Sequence, residues 1–483
     1  MLQNPHDDNG SWWSRPGGPR EVLQVALPLI VTTAFWSLQW FIDRVFLMHY
    51  STDAIAAALP AGMLQWTLIC FPMGVASYVT TFVAQYYGAQ RPQRIGLAVA
   101  QGIRFGWVMT PLLLLAIPFA PMLTEWSAAT EKVHQLQVEY FQYLTLGAGA
   151  VVLSNAMSSF YTGRGKTRIV MLVNVGGTLV NLILDYLLIF GEFGFPEMGI
   201  KGAAIATTVA NWFNVVAFYL LMHRKEDRET YALTSGNRFD RTLMWRLLRF
   251  GAPSALPMLI EAGAITILVM AVGSIGVIEA AATSMAFNIN AVAFVPVYGL
   301  GIAVSALVGQ HLGADRDDLA ARATRTSLAF AAIYTAVFGL LYVAAGDWFL
   351  LPFRTEENLE EFNQVRDVAV ILLRFVAAYC LFDAVQVIFV GALRGAGDTR
   401  FVLYVTTLVS GGSVAIGALG QTFWGWRLYG WWWVMTGWIF SLAIIYTLRF
   451  SQGKWRSMRV IEPEVTADED LLENEVVAGQ MDA

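Results

Sequence analysis

Four acidic residues interrupt long apolar stretches of this 483-residue sequence: Asp43, Asp185, Glu261 and Asp383. An aspartate at the centre of a membrane helix costs about 2.5–3.5 kcal/mol on insertion scales, so such residues are rare there. Those that occur normally face the interior of a helix bundle or a water-filled cavity, and they mark the paths of ions. The alternative at each position is a structural acid that is neutral and hydrogen-bonded between helices. The four residues therefore indicate either cation or proton binding or a structural role.

The segment NLILDYLLIFG at 181–191 gives one of these acids a polar neighbour. Asn181 and Asp185 are four residues apart, so they share one face of a helix. Asp43 in the first apolar run and Thr207 in the sixth could add a carboxylate and a hydroxyl oxygen, and oxygen ligands suit a hard cation such as Na⁺. Burial disfavours the charged form of a carboxyl group, so the same residues could bind a proton instead.

The apolar runs around these residues are those of a membrane protein. The chain is 56% hydrophobic and 14% charged, whereas an average soluble domain carries about 25% charged residues. Runs of roughly 20 apolar residues can cross a hydrocarbon core of about 30 Å, and a transmembrane barrel would instead alternate over about ten residues per strand. We predict an all-α polytopic membrane protein with twelve spans, at about 22–48, 60–87, 96–120, 135–162, 169–191, 200–222, 247–273, 280–311, 319–345, 365–392, 401–419 and 428–449.

Lysine and arginine predict the orientation of these spans. Most of the 31 basic residues fall in segments on the same side as the N-terminus, and the positive-inside rule places that side in the cytoplasm. Both termini are then cytoplasmic. The first 20 residues lack the apolar core of a signal peptide, so we expect them to be retained. The acidic tail after residue 460 is typical of a disordered, solvated segment.

An internal repeat divides the chain into two halves. Gln85, Gly88 and Ala89 recur as Gln310, Gly313 and Ala314, and GRGKTR at 163–168 returns as GAGDTR at 395–400. The repeat predicts a duplicated six-helix unit, with two lobes related by an axis along the membrane normal, as in some transporters. The predicted organisation is an N-terminal tail, an N-lobe, a cytoplasmic linker, a C-lobe and an acidic tail, at 1–21, 22–222, 223–246, 247–449 and 450–483.

Enzymatic and nucleotide-binding functions find little support. GKT at 165–167 lacks the preceding glycine of a phosphate-binding loop, since position 160 is Phe160. The five histidines are scattered along the chain, so they form no evident metal cluster or nucleophile–base pair. We therefore predict that the protein is not an enzyme, and nothing in the sequence indicates a nucleic-acid partner.

Several motifs resemble those of the multidrug and toxic compound extrusion (MATE) family, in its bacterial NorM-like branch. They are LRGAGDTR at 393–400, the two Q-x-x-G-A turns, the aspartate of FIDRVFL at 41–47, and NLILDYLLIFG followed by GIKGAAIAT at 199–207. The resemblance implies two six-helix bundles that form a V around a central cavity. It also implies a multi-pass protein of the bacterial inner membrane, without a cofactor, that exchanges an organic substrate for Na⁺ or H⁺.

The resemblance also implies site residues. It assigns a cation site to Asp43, Asn181, Asp185 and Thr207, and a second one to Glu261, Tyr379 and Asp383. The duplication does not repeat the first set, because Asp43 corresponds to Leu268 and Asp185 to Gly417. The sequence leaves open which lobe couples transport, and whether the ion is Na⁺ or H⁺.

Three more residues within the predicted spans require interpretation. Pro28 lies within the first span, where it permits either a hinge that bends during transport or a static kink. Arg44 follows Asp43, where the family usually has a small or polar residue, and it would make Asp43 a structural ion-pair partner if it turned inward. Arg374 in the tenth span has no assigned role.

The expected function is secondary antiport of a small organic compound by a monomer in contact with membrane lipid. The alternative is a flippase for lipid-linked or other amphiphilic cargo, which would require a strongly cationic cavity for phosphate groups. The four buried acids outnumber Arg104 and Arg374, the two basic residues within spans, which favours cationic substrates.

Overall fold

The computed structural model describes residues 11–125, 130–233, 238–351 and 359–463. The described chain is almost entirely helical, and eleven of its helical segments are long and apolar enough to cross a membrane. The helices are α1 (Pro19–Tyr50), α2 (Thr52–Ser77), α3 (Val79–Gly88), α4 (Pro92–Leu114), α5 (Ala120–Thr124), α6 (Glu131–Thr145), α7 (Ala148–Thr162), α8 (Thr167–Phe190), α9 (Gly199–Met222), α10 (Lys225–Thr230), α11 (Arg241–Gly273), α12 (Val277–Gly313), α13 (Asp317–Ala344), α14 (Gly346–Leu350), α15 (Leu359–Ala396), α16 (Thr399–Trp424) and α17 (Leu428–Ser451).

The fourth predicted span is divided between two helices, α6 and α7, of 15 residues each. Side chains of α9 occupy the break between them. Thr208 donates a hydrogen bond to the Tyr143 carbonyl oxygen (2.8 Å), and the Trp212 indole donates to the Leu146 carbonyl oxygen (3.3 Å). Because these donors satisfy carbonyl groups at the end of α6, the helix can stop inside the bundle. Together α6 and α7 occupy the predicted span that is not among the eleven, and the all-α polytopic fold is confirmed.

Helices α1–α9 form the N-half of the molecule, and helices α11–α17 form the C-half. The halves meet through α1 and α12, through α3 and α12, and through α2 and α11. At one end of the bundle α1 begins, α3 ends and α17 ends, and we call this end the terminal face. There Thr326 of α13 donates a hydrogen bond to the Gly17 carbonyl oxygen (3.1 Å), which brings the beginning of α1 against the C-half.

Burial changes sharply between the terminal face and the opposite, far face. In α12 nearly every residue from 299 to 313 is buried, whereas earlier in the helix only scattered positions are. In α1 the residues from 34 to 42 include no buried one. Protein therefore encloses α1 and α12 at the terminal face and leaves them open on several sides toward the far face.

The predicted segment boundaries differ from the structure at three places. Helix α1 begins at Pro19, within the predicted N-terminal tail. Helix α11 begins at Arg241, within the predicted linker 223–246, because Asp240 caps it by accepting a hydrogen bond from the Leu243 amide (2.9 Å). We expected a disordered tail from residue 450, but the chain stays packed through Pro463; residues 464–483 lie outside the described part.

Candidate functional site

The N-half brings two of the four acids into contact. The carboxyl groups of Asp43 on α1 and Asp185 on α8 lie against each other. Asp185 is 0% exposed and Asp43 is 9% exposed. One turn before Asp185, Asn181 is also fully buried, and its amide donates a hydrogen bond to the Thr207 hydroxyl on α9 (3.3 Å). The four residues assigned to the first cation site therefore converge from three helices.

The helix α8 positions its polar groups as a single stripe. Asn174, Thr178, Asn181 and Asp185 follow one another at intervals of three or four residues and are all buried, which places them on one helix face. The opposite face carries exposed apolar residues: Leu172, Leu179, Ile183 and Tyr186. This pattern is that of a helix with one face toward lipid and its polar face toward the bundle interior.

A matching stripe on α1 meets the stripe on α8. The Trp36 indole donates a hydrogen bond to Asn174 (3.3 Å), and Gln39 accepts one from Thr178 (3.3 Å). Trp36, Gln39 and Asp43 are spaced by three and four residues, so they share a face of α1. The two helices run in the same direction, and each polar residue of α1 reaches its counterpart on α8. The Asp43–Asp185 contact is the last step of this ladder.

Several oxygen atoms at the end of the ladder receive no hydrogen bond from a described residue. They are Asp43 Oδ1, Asp185 Oδ1, Asp185 Oδ2 and Asn181 Oδ1, and all are buried. A buried acceptor without a donor costs about 1–3 kcal/mol, and an uncompensated charge costs more. A proton would turn one of the acids into a hydrogen-bond donor, and a cation would be coordinated by the oxygen atoms. Either one would therefore remove this cost. The arrangement is therefore chemically suited to binding one positive charge.

Arg44 leaves this pair intact. Its side chain is exposed, and the ion pairs among the described residues include none between Arg44 and Asp43. Neighbours on a helix point about 100° apart, so the carboxyl group of Asp43 faces α8 while Arg44 faces outward. Asp43 therefore contacts Asp185, while Arg44 acts on Asp43 only through space, from outside the pair.

Tyr140 of α6, which was not predicted from the sequence, is buried beside the carboxyl groups of Asp43 and Asp185. Its hydroxyl group adds a donor and acceptor to the neighbourhood of the pair. No local signal marks it, because tyrosines are common in this chain and Tyr140 reaches the pair only through the packing of α6 in the bundle.

In the C-half, the predicted residues lie near one another without a direct contact like that of Asp43 and Asp185. Glu261 on α11 accepts a hydrogen bond from Gln386 on α15 (3.4 Å), a partner that sequence analysis missed. Asp383 borders a cavity of about 10 Å³ that Asn290, Thr335 and Cys380 also line, close to the smallest volume that holds one water. Tyr379, one turn before Asp383, is buried. Each acid here has its own polar surroundings.

The helix α1 continues through the buried Pro28. Proline has no amide hydrogen, so the carbonyl of Gln24 loses its usual partner within the helix. Thr167 at the beginning of α8 donates a hydrogen bond to that carbonyl (3.5 Å). The same two helices are thus linked at the terminal face and at the acid pair.

Comparisons with known proteins agree with this architecture. The model of the family MatE matches residues 28–187 and again 253–419, so the two matched segments begin 225 residues apart, as the repeat predicts. A probable multidrug resistance protein NorM of Shewanella oneidensis is 28% identical over 80% of this chain and 83% of its own length. A protein of the same name from Xanthomonas campestris pv. campestris is 29% identical over 89% of this chain and 93% of its own.

Solved structures share the fold at low sequence identity. A multidrug resistance MATE family transporter in an outward-facing conformation superposes with a TM-score of 0.82 at 18% identity, covering 91% of this chain and 97% of its own. The eukaryotic MATE transporter AtDTX14 gives a TM-score of 0.80 at 20% identity, covering 91% of this chain and 96% of its own. Since the family model matches more than half of the sequence, in the two segments that the repeat delimits, the chain belongs to the MatE family of membrane transporters, among its bacterial NorM-like members.

Proposed function

We propose that this transporter exports organic, cationic and amphiphilic compounds by secondary antiport, in exchange for Na⁺ or H⁺. The observation that supports the proposal most is the pair Asp43 and Asp185, which two helices bury against each other with oxygen atoms that no described donor satisfies. The relatives named as probable multidrug resistance proteins support the export of drugs.

The pair responds to a cation because two carboxylates in contact repel each other when both are ionised. A proton or Na⁺ between them removes the repulsion, and Asn181 and Thr207 place amide and hydroxyl oxygens nearby. Asp43 belongs to α1, and Thr33 of the same helix donates a hydrogen bond to the Val295 carbonyl oxygen of α12 (3.3 Å). Occupancy of the pair therefore acts on a helix that also joins the two halves.

One inward-moving cation supplies enough free energy for useful export. A unit charge that crosses the membrane potential contributes about 2.3 kcal/mol per 100 mV. At about 1.4 kcal/mol per tenfold, this corresponds to a gradient of roughly 40-fold for a neutral substrate. A single site of the kind formed by Asp43 and Asp185 thus meets the energetic requirement.

We assign coupling to the N-half and a supporting role in cation or substrate binding to Glu261, Tyr379 and Asp383. The two halves act as lobes of a V around a central cavity, in a monomer of the bacterial inner membrane with its terminal face in the cytoplasm. The basic residues gathered at the terminal face support that orientation: Arg91, Arg94, Arg246, Arg456 and Arg459. Pro28 serves as the hinge of α1 in this scheme.

The flippase alternative requires a cationic cavity, and Arg104 and Arg374 give it no support. Arg104 donates a hydrogen bond to the carbonyl oxygen of Arg238, and Arg374 is exposed on α15. Neither residue joins the groups around the buried acids.

Transport in proteoliposomes tests the proposal, with Na⁺ and H⁺ gradients imposed separately and a fluorescent organic cation as substrate. We expect one gradient to drive export by the wild type and by Asp347→Asn, a control at an exposed acid that pairs with Arg366 (2.6 Å). Asp185→Asn should reduce the response to that gradient roughly 100-fold. Export by Asp185→Asn with unchanged cation dependence would refute the coupling role, and a wild type that responds to neither gradient would refute antiport.

A further inference from the structure

The chain beyond α17 folds back across the terminal face. Residues 454–463, which we call the latch, contain three side chains that are almost fully buried: Trp455, Val460 and Ile461. The Trp455 indole stacks on Phe450 (4.7 Å between ring centroids) and donates a hydrogen bond to the Phe450 carbonyl oxygen (2.9 Å). Burying three large apolar side chains fixes the latch in place, which its many charges alone would not do.

The latch binds the N-half through four groups at the end of α3 and the beginning of α4. Its Val460 amide donates a hydrogen bond to the side chain of Gln85 (2.8 Å). Tyr86 donates one to the Glu462 carboxylate (2.7 Å). Arg94 forms an ion pair with the same carboxylate (3.2 Å), and Arg91 donates to the Glu462 carbonyl oxygen (3.0 Å).

The latch binds the C-half at the same time. Arg246 of α11 forms an ion pair with the Glu462 carboxylate (2.9 Å), so this one group joins Arg94 of the N-half to Arg246 of the C-half. Arg459 of the latch pairs with Asp315 (2.8 Å), and Arg456 pairs with Asp317 (2.9 Å). These contacts to both halves can exist together only while the halves meet at the terminal face.

Beneath the latch, the two halves are joined directly by a pair of glutamines. Gln85 of α3 donates a hydrogen bond to the Gly395 carbonyl oxygen of the C-half (3.0 Å), and Gln310 of α12 donates to the Gly163 carbonyl oxygen of the N-half (2.7 Å). We call these two hydrogen bonds the seal. The latch contacts only one of the two glutamines of the seal: its Val460 amide donates a hydrogen bond to the side-chain oxygen of Gln85.

We propose that the latch is a conformational lock, which holds the terminal face closed and must detach before that face opens. A group that binds only one of two conformations shifts the equilibrium toward that conformation by the free energy of its binding. The latch meets this condition, since Glu462 needs an arginine from each half. It acts on access to the terminal face and not on ion or substrate binding.

Distance measurements between spin labels test the lock without any transport assay, so they remain informative if the antiport proposal fails. Gln93 and Asp318 are exposed, and they follow the ends of α3 and α12 at equivalent positions of the two halves. Labels at Gln93→Cys and Asp318→Cys report the opening of the terminal face, with the buried Cys70 and Cys380 replaced by alanine. The measurement is made in nanodiscs, with the full-length protein as the reference.

We expect Glu462→Gln to raise the ratio of long to short distances about fivefold, which corresponds to about 1 kcal/mol for a partly exposed ion-pair network. A chain ending after Gly453 should show a larger shift, and a chain ending after Pro463, which keeps the latch, should match the wild type. The control Glu139→Gln removes an ion pair with Lys201 within the N-half (3.8 Å) and should leave the ratio unchanged.

Unchanged distances in Glu462→Gln would overturn the proposal, even if the shorter chain fails to fold, because that substitution keeps the size of the side chain. Equal shifts in the two truncated chains would also overturn it, since the effect would then come from residues beyond the latch.

Discussion

The acids of the N-half and those of the C-half occupy different environments on the same duplicated scaffold. The carboxyl groups of Asp43 and Asp185 are buried and lie in contact with each other. Glu261 and Asp383 are kept apart, one bound by Gln386 and the other beside a water-sized cavity. Two ionised carboxylates in contact repel each other strongly, whereas Glu261 and Asp383 act on each other only through space. A buried acid therefore indicates ion coupling most strongly when a second acid lies in contact with it.

The equivalent positions of the C-half show what fills that space when the acids are absent. Leu268, which corresponds to Asp43, is a buried apolar residue. Gly417, which corresponds to Asp185, packs directly against the ring of Trp431. The C-half therefore has no acid at either of the two equivalent positions, and its own acids lie elsewhere.

Removing either acid of the Asp43–Asp185 pair should cause the greatest loss of transport. Asp185→Asn and Asp43→Asn should each reduce cation-driven transport roughly 100-fold, or about 2.7 kcal/mol. The double variant should lose little more than either single one, because both residues hold the same ion. A double-mutant cycle of transport rates in proteoliposomes measures this coupling. Additive losses would show that the two acids act separately. The N-half pair would then not differ from the acids of the C-half in this respect.

The next prediction concerns a feature that both halves share. An added side-chain carbon at Gly88 would strike the backbone of Gln310, and one at Gly313 would strike the backbone of Gln85. Gly88→Ala and Gly313→Ala should each disfavour the closed terminal face by about 2 kcal/mol, since backbone cannot move aside. Spin-label distances check this, with Gly263→Ala as a control at a position with open space around it. Unequal effects of the two substitutions would show that the scaffold itself has diverged.

A smaller effect is expected from the acids of the C-half. Glu261→Gln and Asp383→Asn should each reduce transport about fivefold, and their effects should be closer to additive than those of Asp43 and Asp185, because these two acids interact only through space. Both proteins should remain folded in the membrane, since neither change leaves a new buried charge. Losses larger than those of Asp185→Asn would transfer the coupling role to the C-half.

The smallest effect tests the ladder that leads to the N-half pair. Gln39→Leu removes the partner of Thr178 and should lower thermal stability by about 0.6 kcal/mol, a typical value for a hydrogen bond between membrane helices. The measurement is thermal unfolding in detergent, with and without Na⁺. Thr407→Val is a suitable control, because the Thr407 hydroxyl donates a hydrogen bond within its own helix (2.8 Å) and to no other helix among the described residues. A larger loss in the control would show that the ladder contributes no specific stability.

The sequence predicted features that repeat locally. Apolar length identified the crossings, and the interval of four residues placed Asn181 and Asp185 on one face of α8. The contact between Asp43 and Asp185 was expected from the family resemblance, because no local pattern joins α1 to α8. The ladder of Trp36 and Gln39 could have been found from their helical spacing before Asp43.

Features that depend on distant partners were missed. The break between α6 and α7 relies on Thr208 and Trp212 of another helix. The latch has a charged composition that is typical of a solvated tail. Its order comes from residues far away in sequence, such as Gln85, 375 positions before Val460.

The seal has a consequence for the origin of the chain. Gln85 reaches the glycine turn of the C-half, and Gln310 reaches the equivalent turn of the N-half. Reciprocal contacts of this kind are those of a two-fold symmetric dimer, in which each subunit offers the same patch to the other. A dimer of identical six-helix subunits would have formed this interface before the gene was fused. Fusion would then free each copy to change alone, which accounts for a pair of acids in one half and Leu268 and Gly417 at the equivalent positions of the other.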